Sequence, residues 1–124
     1  MSQIVATLLI AGLMPIICAG IAKWGFKDFD NHQPRAWLDT QEGWRKRANA
    51  AQQNSFEAFP FFAGGVLLAL LAQTDLALIV PTCWVFIVAR ALYIYFYVTD
   101  QATLRTIIWL VGLIAIIRLY LLAI

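Results

Sequence analysis

The chain has 124 residues, 62% of them hydrophobic and 13% charged, with a mean hydropathy of +0.76. A soluble domain of this size has too little interior to bury so much apolar surface, so the solvent is a bilayer. A net charge of +2 that gathers near membrane boundaries is accounted for by topology and points to no nucleic-acid partner.

No charge occurs between Ser2 and Ala22, and none between Ala58 and Thr74. Such blocks read as transmembrane helices with polar ends, within a single domain over 1–124. The expected spans cover about 4–22, 56–72, 76–97 and 105–124, which makes the protein an all-α integral membrane four-helix bundle.

The first span has no basic residue before its apolar run, and Lys23 and Lys27 follow it, the reverse of a signal peptide. Pro15 removes one backbone donor inside it and is read as a packing kink. From Lys23 to Trp44 the chain is broken by Gly25, Asn31, Pro34 and Gly43, and five aromatic rings sit among its charges. That mixture suits the headgroup layer, and a loop is expected there. His32 is the only histidine, so a histidine-rich metal site is excluded; it is read as a solvated turn residue. Cys18 and Cys83 lie within apolar spans and are read as small packing residues.

The second span is the continuation of a basic, amide-rich helix that starts near Arg45 and passes without a turn signal into hydrocarbon. At about 100° per residue, Arg47, Asn54 and Glu57 share a sector of roughly 80°. Glu57 stands at the edge of the apolar segment, where an unpaired charge costs several kcal/mol. Gly64, Gly65 and Ala69 form a small-residue strip on which another helix can pack closely. Arg90, Tyr93 and Tyr97 are spaced three and four, one stripe on the third helix. A guanidinium facing the bundle needs an anion, and Glu57 is one such partner. Arg105 opens the fourth span.

Eight of the nine cations, Lys23, Lys27, Arg35, Arg45, Lys46, Arg47, Arg90 and Arg105, lie where spans one to two and three to four are joined. Arg118 alone lies toward the other side. By the positive-inside rule, the connections 23–55 and 98–104 are cytoplasmic and both termini lie outside. The same connectivity sets the Asn54 and Glu57 end beside the Arg90, Tyr93, Tyr97 and Arg105 end.

The core Asn54-x-x-Glu57-x-x-Pro60 on a basic-to-apolar helix, followed by Arg90-x-x-Tyr93-x-x-x-Tyr97 and then Arg105, resembles the MAPEG family, membrane-associated proteins in eicosanoid and glutathione metabolism. The likeness covers nearly the whole chain and is greatest for the small bacterial members, which implies a bacterial inner membrane. Other members carry an arginine one turn before the asparagine; this chain has Ala50 there, and Arg47 two turns before. The resemblance implies a homotrimer in membrane lipid, with glutathione as co-substrate and no metal. Arg47, Asn54, Glu57, Arg90, Tyr93 and Tyr97 would contact glutathione, and Arg105 would stabilise its thiolate. A transferase or peroxidase acting on lipophilic electrophiles or hydroperoxides follows from that. The alternatives are a non-catalytic bundle of the same fold that binds lipid or thiol, and a small multidrug transporter. The transporter would need a carboxylate deep in the first span, and Ile4 to Ala22 contains none.

Overall fold

The computed structural model describes residues 1–26 and 28–124. Lys27, one of the eight cations counted above, lies outside the described residues. Among the described residues five helices follow one another: α1 (Ser2–Lys23), α2 (Pro34–Asp39), α3 (Gly43–Leu71), α4 (Leu76–Val98) and α5 (Ala102–Leu121). All but α2 are long and apolar enough to cross a membrane. At 1.5 Å per residue, the 22 residues of α1 span about 33 Å, close to the hydrocarbon thickness. The chain is an all-helical integral membrane bundle.

α2 falls inside the stretch expected to be a loop. Pro34 reads as a breaker in sequence, but it occupies the first helical position, where its missing N–H costs nothing and its fixed φ suits the helix. The short helix buries Trp37 and Leu38, and Trp37 meets Phe29 edge-on at 5.1 Å. His32 is exposed, and its backbone N–H donates to the Asp30 carboxylate at 2.9 Å, so it sits in a local turn.

The two tight connections end their helices in the same way. Gln73 and Asp100 take left-handed φ of 56° and 61°. Beyond them the Thr74 amide reaches back to the Ala69 carbonyl, and the Gln101 amide to that of Phe96. Both are Schellman closures made without glycine. Asp75 then caps α4 by accepting from the Ala77 amide at 2.9 Å. Because the α4–α5 link is only Thr99–Gln101, Arg105 in the first turn of α5 stands beside Tyr97 in the last turn of α4.

α3 and α4 form the centre: α1 packs on both from one side and α5 on both from the other. Phe62 of α3 stacks on Phe86 of α4 with centroids 4.0 Å apart, and Ile4, Val66, Ile79 and Leu119 complete a buried core. The expected small-residue strip is used by α5. A Cβ on Gly65 would come within 3.1 Å of the Leu119 Cβ and the Tyr120 ring, and one on Gly64 within 2.7 Å of the Tyr120 hydroxyl. That hydroxyl donates to the Phe61 carbonyl at 3.2 Å.

Polar ties between helices mark the two ends of the bundle. At one end the Arg45 guanidinium donates to the Ala22 carbonyl at the end of α1, and Arg47 to the Val98 carbonyl at the end of α4. At the other, the Thr74 hydroxyl donates to the Leu122 carbonyl. The described cations therefore collect at the first end, with Arg118 alone near the second.

Candidate functional site

α3 carries Asn54, Ser55 and Glu57 to the level at which α4 presents Arg90. Pro60, four residues after Phe56, has no N–H, so the Phe56 carbonyl loses its helical donor beside this site. Arg90 is only 3% exposed. Its guanidinium donates through Nη1 to Asn54 Oδ1 at 2.9 Å and through Nη2 to Ser55 Oγ at 3.1 Å. Ser55 Oγ in turn donates to the Ala51 carbonyl at 2.8 Å, which orients its lone pair toward the cation. The Tyr93 ring covers the guanidinium at 4.2 Å, a favourable contact of a cation with an aromatic face.

All three partners are neutral. Glu57, the anion expected for Arg90, makes no ion pair with it; among the described residues the ion pair found is Lys46–Glu42, at 3.8 Å on the surface. Two residues beyond the buried Ser55, about 200° around α3, Glu57 turns outward and is exposed. It lines the mouth of the same groove without touching the guanidinium.

That groove, of about 180 Å³, lies between α3, α4 and α5. Asn54, Glu57 and Arg90 form its polar end; Phe61, Phe86, Trp109, Gly112, Leu113 and Ile116 form its apolar continuation along the membrane. A second groove of about 260 Å³ is lined by Tyr93, Tyr97, Arg105, Thr106 and Trp109. Trp109 is common to both, so the two adjoin along α5. In the second, the Tyr93 and Tyr97 rings meet edge-to-face at 5.5 Å, and the Arg105 guanidinium lies 4.4 Å over the Tyr97 ring. A third, wider cavity of about 490 Å³ between α2 and α3 is lined by Arg35, Asp39, Asn49, Gln52, Gln53 and again Glu57. Glu57 thus stands on the ridge between a polar cavity and a membrane groove.

Of the residues singled out in sequence, the structure brings Asn54, Glu57 and Arg90 to one groove and Tyr93, Tyr97 and Arg105 to its neighbour. Arg47 lines neither. Its Nε and Nη2 both donate to the Val98 carbonyl at 3.1 Å, closing the end of α4 against α3. Two residues escaped the sequence reading. Ser55 was hidden because a serine next to an asparagine on a polar helix looks solvated, and Trp109 because an aromatic in an apolar span looks lipid-facing. The four-residue offset of Trp109 from Arg105 was the available signal.

Chemically, the arrangement offers one buried guanidinium with spare donors, a second guanidinium on an aromatic ring, a carboxylate with no ion-pair partner among the described residues, and two phenols. Among the described residues no three His, Cys, Asp or Glu side chains come together as a metal site.

A model of the MAPEG family matches residues 4–124, nearly the whole chain. No curated protein and no solved structure matches it. The chain belongs to the MAPEG family.

Proposed function

We propose that this MAPEG-family protein binds glutathione across the two grooves that share Trp109 and uses it to attack lipophilic electrophiles or hydroperoxides. The reading rests on the buried Arg90 guanidinium, whose protein partners are neutral and which therefore has a full positive charge to offer an anion. Glutathione supplies two carboxylates, an ammonium and a thiol. Three of the five N–H groups of Arg90 remain for a carboxylate, Glu57 takes the ammonium, and the Tyr93 and Tyr97 phenols donate to the remaining oxygens. Arg47 enters through Val98, holding the end of α4 that carries Tyr97.

Arg105 is assigned to the sulfur. A free thiol has a pKa of about 8.5 and is only a few per cent ionised at neutral pH; an adjacent fixed cation lowers that value by favouring the charged form. In conjugation the thiolate sulfur bonds to the electrophilic carbon as the bond to the leaving group breaks; a displaced group departs with the bonding electrons as an anion, and a ring-opened oxygen takes a proton from water. In peroxide reduction the thiolate cleaves the O–O bond, and a second glutathione completes the exchange, so that two thiols are oxidised to a disulfide while the hydroperoxide becomes alcohol and water. The apolar continuation toward Leu113 and Ile116 suits a substrate entering from the bilayer. The proposal includes a homotrimer whose basic end, with Arg45 and Lys46, faces the cytoplasm.

The test is calorimetric titration of the detergent-purified protein with glutathione and with an analogue lacking the thiol. Saturable binding of both, tighter for the thiol and accompanied by thiolate absorbance, supports the proposal. No binding at millimolar glutathione overturns it.

A further inference from the structure

The end of the bundle opposite the basic cluster holds a groove that plays no part in the function proposed above. It lies between α4 and α5, has a volume of about 240 Å³, and is walled by Pro81, Thr82, Val85, Val111 and Ile114, with Arg118 at its rim. Thr82 presents little polarity to it, because its hydroxyl donates within α4 to the Leu78 carbonyl at 2.8 Å. The walls are thus methyl and methylene surface, and the rim is a cation.

Among the described residues Arg118 has no compensating partner. It is exposed, and among the described residues its guanidinium makes no ion pair and donates no hydrogen bond. Asp75, an acidic residue at this end, caps α4 by accepting from the Ala77 amide, makes no ion pair with Arg118 and does not line the groove. The negative end of the α5 dipole favours a cation here, but that contributes only about 0.3–1 kcal/mol and does not call for a groove beside it. A guanidinium in the headgroup layer above an aliphatic groove matches a phosphodiester joined to an acyl chain: the planar fork takes two phosphate oxygens while the first methylenes enter the groove. Arg118 is the only charged side chain lining the groove among the described residues, and it repels a choline or ethanolamine ammonium, so a headgroup of net negative charge is favoured.

We propose that the groove between α4 and α5 is a site for an anionic glycerophospholipid, with its phosphate on Arg118 and the upper part of one acyl chain between Pro81, Val85, Val111 and Ile114. Annular lipid exchanges without regard to headgroup, whereas this site selects by charge.

The experiment is native mass spectrometry of the purified protein titrated with phosphatidylglycerol, with phosphatidylcholine of the same chains, and with oleate. The wild-type protein is expected to retain one phosphatidylglycerol per subunit, with a preference over phosphatidylcholine of roughly tenfold, because both lipids offer Arg118 the same phosphodiester and phosphatidylcholine adds an ammonium that the guanidinium repels. Arg118→Gln is expected to bring the two lipids level, and Arg118→Lys to keep most of the preference. Val111→Phe fills the groove from its exposed rim and is expected to lower phosphatidylglycerol retention with the cation still in place, which provides a test even if Arg118→Gln folds poorly. Equal retention of the two lipids by the wild-type protein, retention unaffected by Arg118→Gln or Val111→Phe, or oleate held in preference to phosphatidylglycerol each overturns the assignment. Unchanged retention in every variant is also the result expected if a second subunit covers this face.

Discussion

The Arg90 guanidinium donates to the Asn54 side-chain carbonyl at 2.9 Å, so a buried charge on α4 is held by an amide on α3 rather than by a carboxylate. Removing the amide leaves part of that charge unsolvated. Asn54→Ala is expected to destabilise the protein by about 1.5–3 kcal/mol, the range for a hydrogen bond to a charged group, and to weaken glutathione binding about tenfold. Thermal unfolding in detergent and calorimetry check the two effects. If both are unchanged, Arg90 does not depend on Asn54.

Glu57 separates binding from assembly. It is exposed and, among the described residues, without an ion pair, so Glu57→Gln is expected to leave subunit association and melting temperature near their wild-type values while weakening glutathione about tenfold through loss of a charge-assisted bond to the ammonium. Light scattering beside calorimetry distinguishes the outcomes. Dissociated subunits with normal residual binding make Glu57 structural instead.

Arg105 is expected to act on ionisation of the thiol. A cation favours the charged form and so lowers a thiol pKa, and bound glutathione should show thiolate absorbance at neutral pH in the wild-type protein. In Arg105→Ala the absorbance should appear only as pH approaches the free-thiol value of about 8.5, in a protein that still folds. Full thiolate signal at pH 7 in that variant sinks the assignment.

Arg47 tests whether the end of α4 needs its tie. Its two donors on the Val98 carbonyl are replaced by nothing in Arg47→Leu, with an expected loss of about 1.5–3 kcal/mol of stability. Hydrogen exchange should quicken locally at the α4–α5 connection, beside Tyr97 and Arg105. Protection unchanged there shows that the Schellman closure suffices by itself.

Gly64 and Gly65 are expected to differ. At Gly65 an added methyl meets the Leu119 Cβ, close to its backbone, and an alanine there should cost about 1–3 kcal/mol by overpacking. At Gly64 it meets only the far end of Tyr120, so Gly64→Ala should be milder and should be relieved by Tyr120→Phe. Melting temperatures of the three variants decide this; an equal cost at both glycines contradicts the packing described.

Most of the architecture was legible in the amino-acid order. Charge-free runs identify the spans because an unpaired charge in hydrocarbon is costly, and the absence of any glycine or proline between Arg47 and Phe59 lets α3 pass from water into the membrane as one helix. Spacing also put Asn54 and Glu57 on one part of α3 and Arg90, Tyr93 and Tyr97 on one stripe of α4. What tertiary structure decided is which of these meet. Periodicity sets a residue's azimuth on its own helix to within tens of degrees; the rotation and separation between helices come from close contacts such as Gly65 with Leu119, which no single-helix pattern contains. A hydrogen bond needs placement within a few tenths of an ångström. So only the packed bundle could give Arg90 to Asn54 and Ser55 instead of Glu57, turn Arg47 onto Val98, make Trp109 the wall shared by two grooves, and set Arg118 at the rim of an apolar cleft.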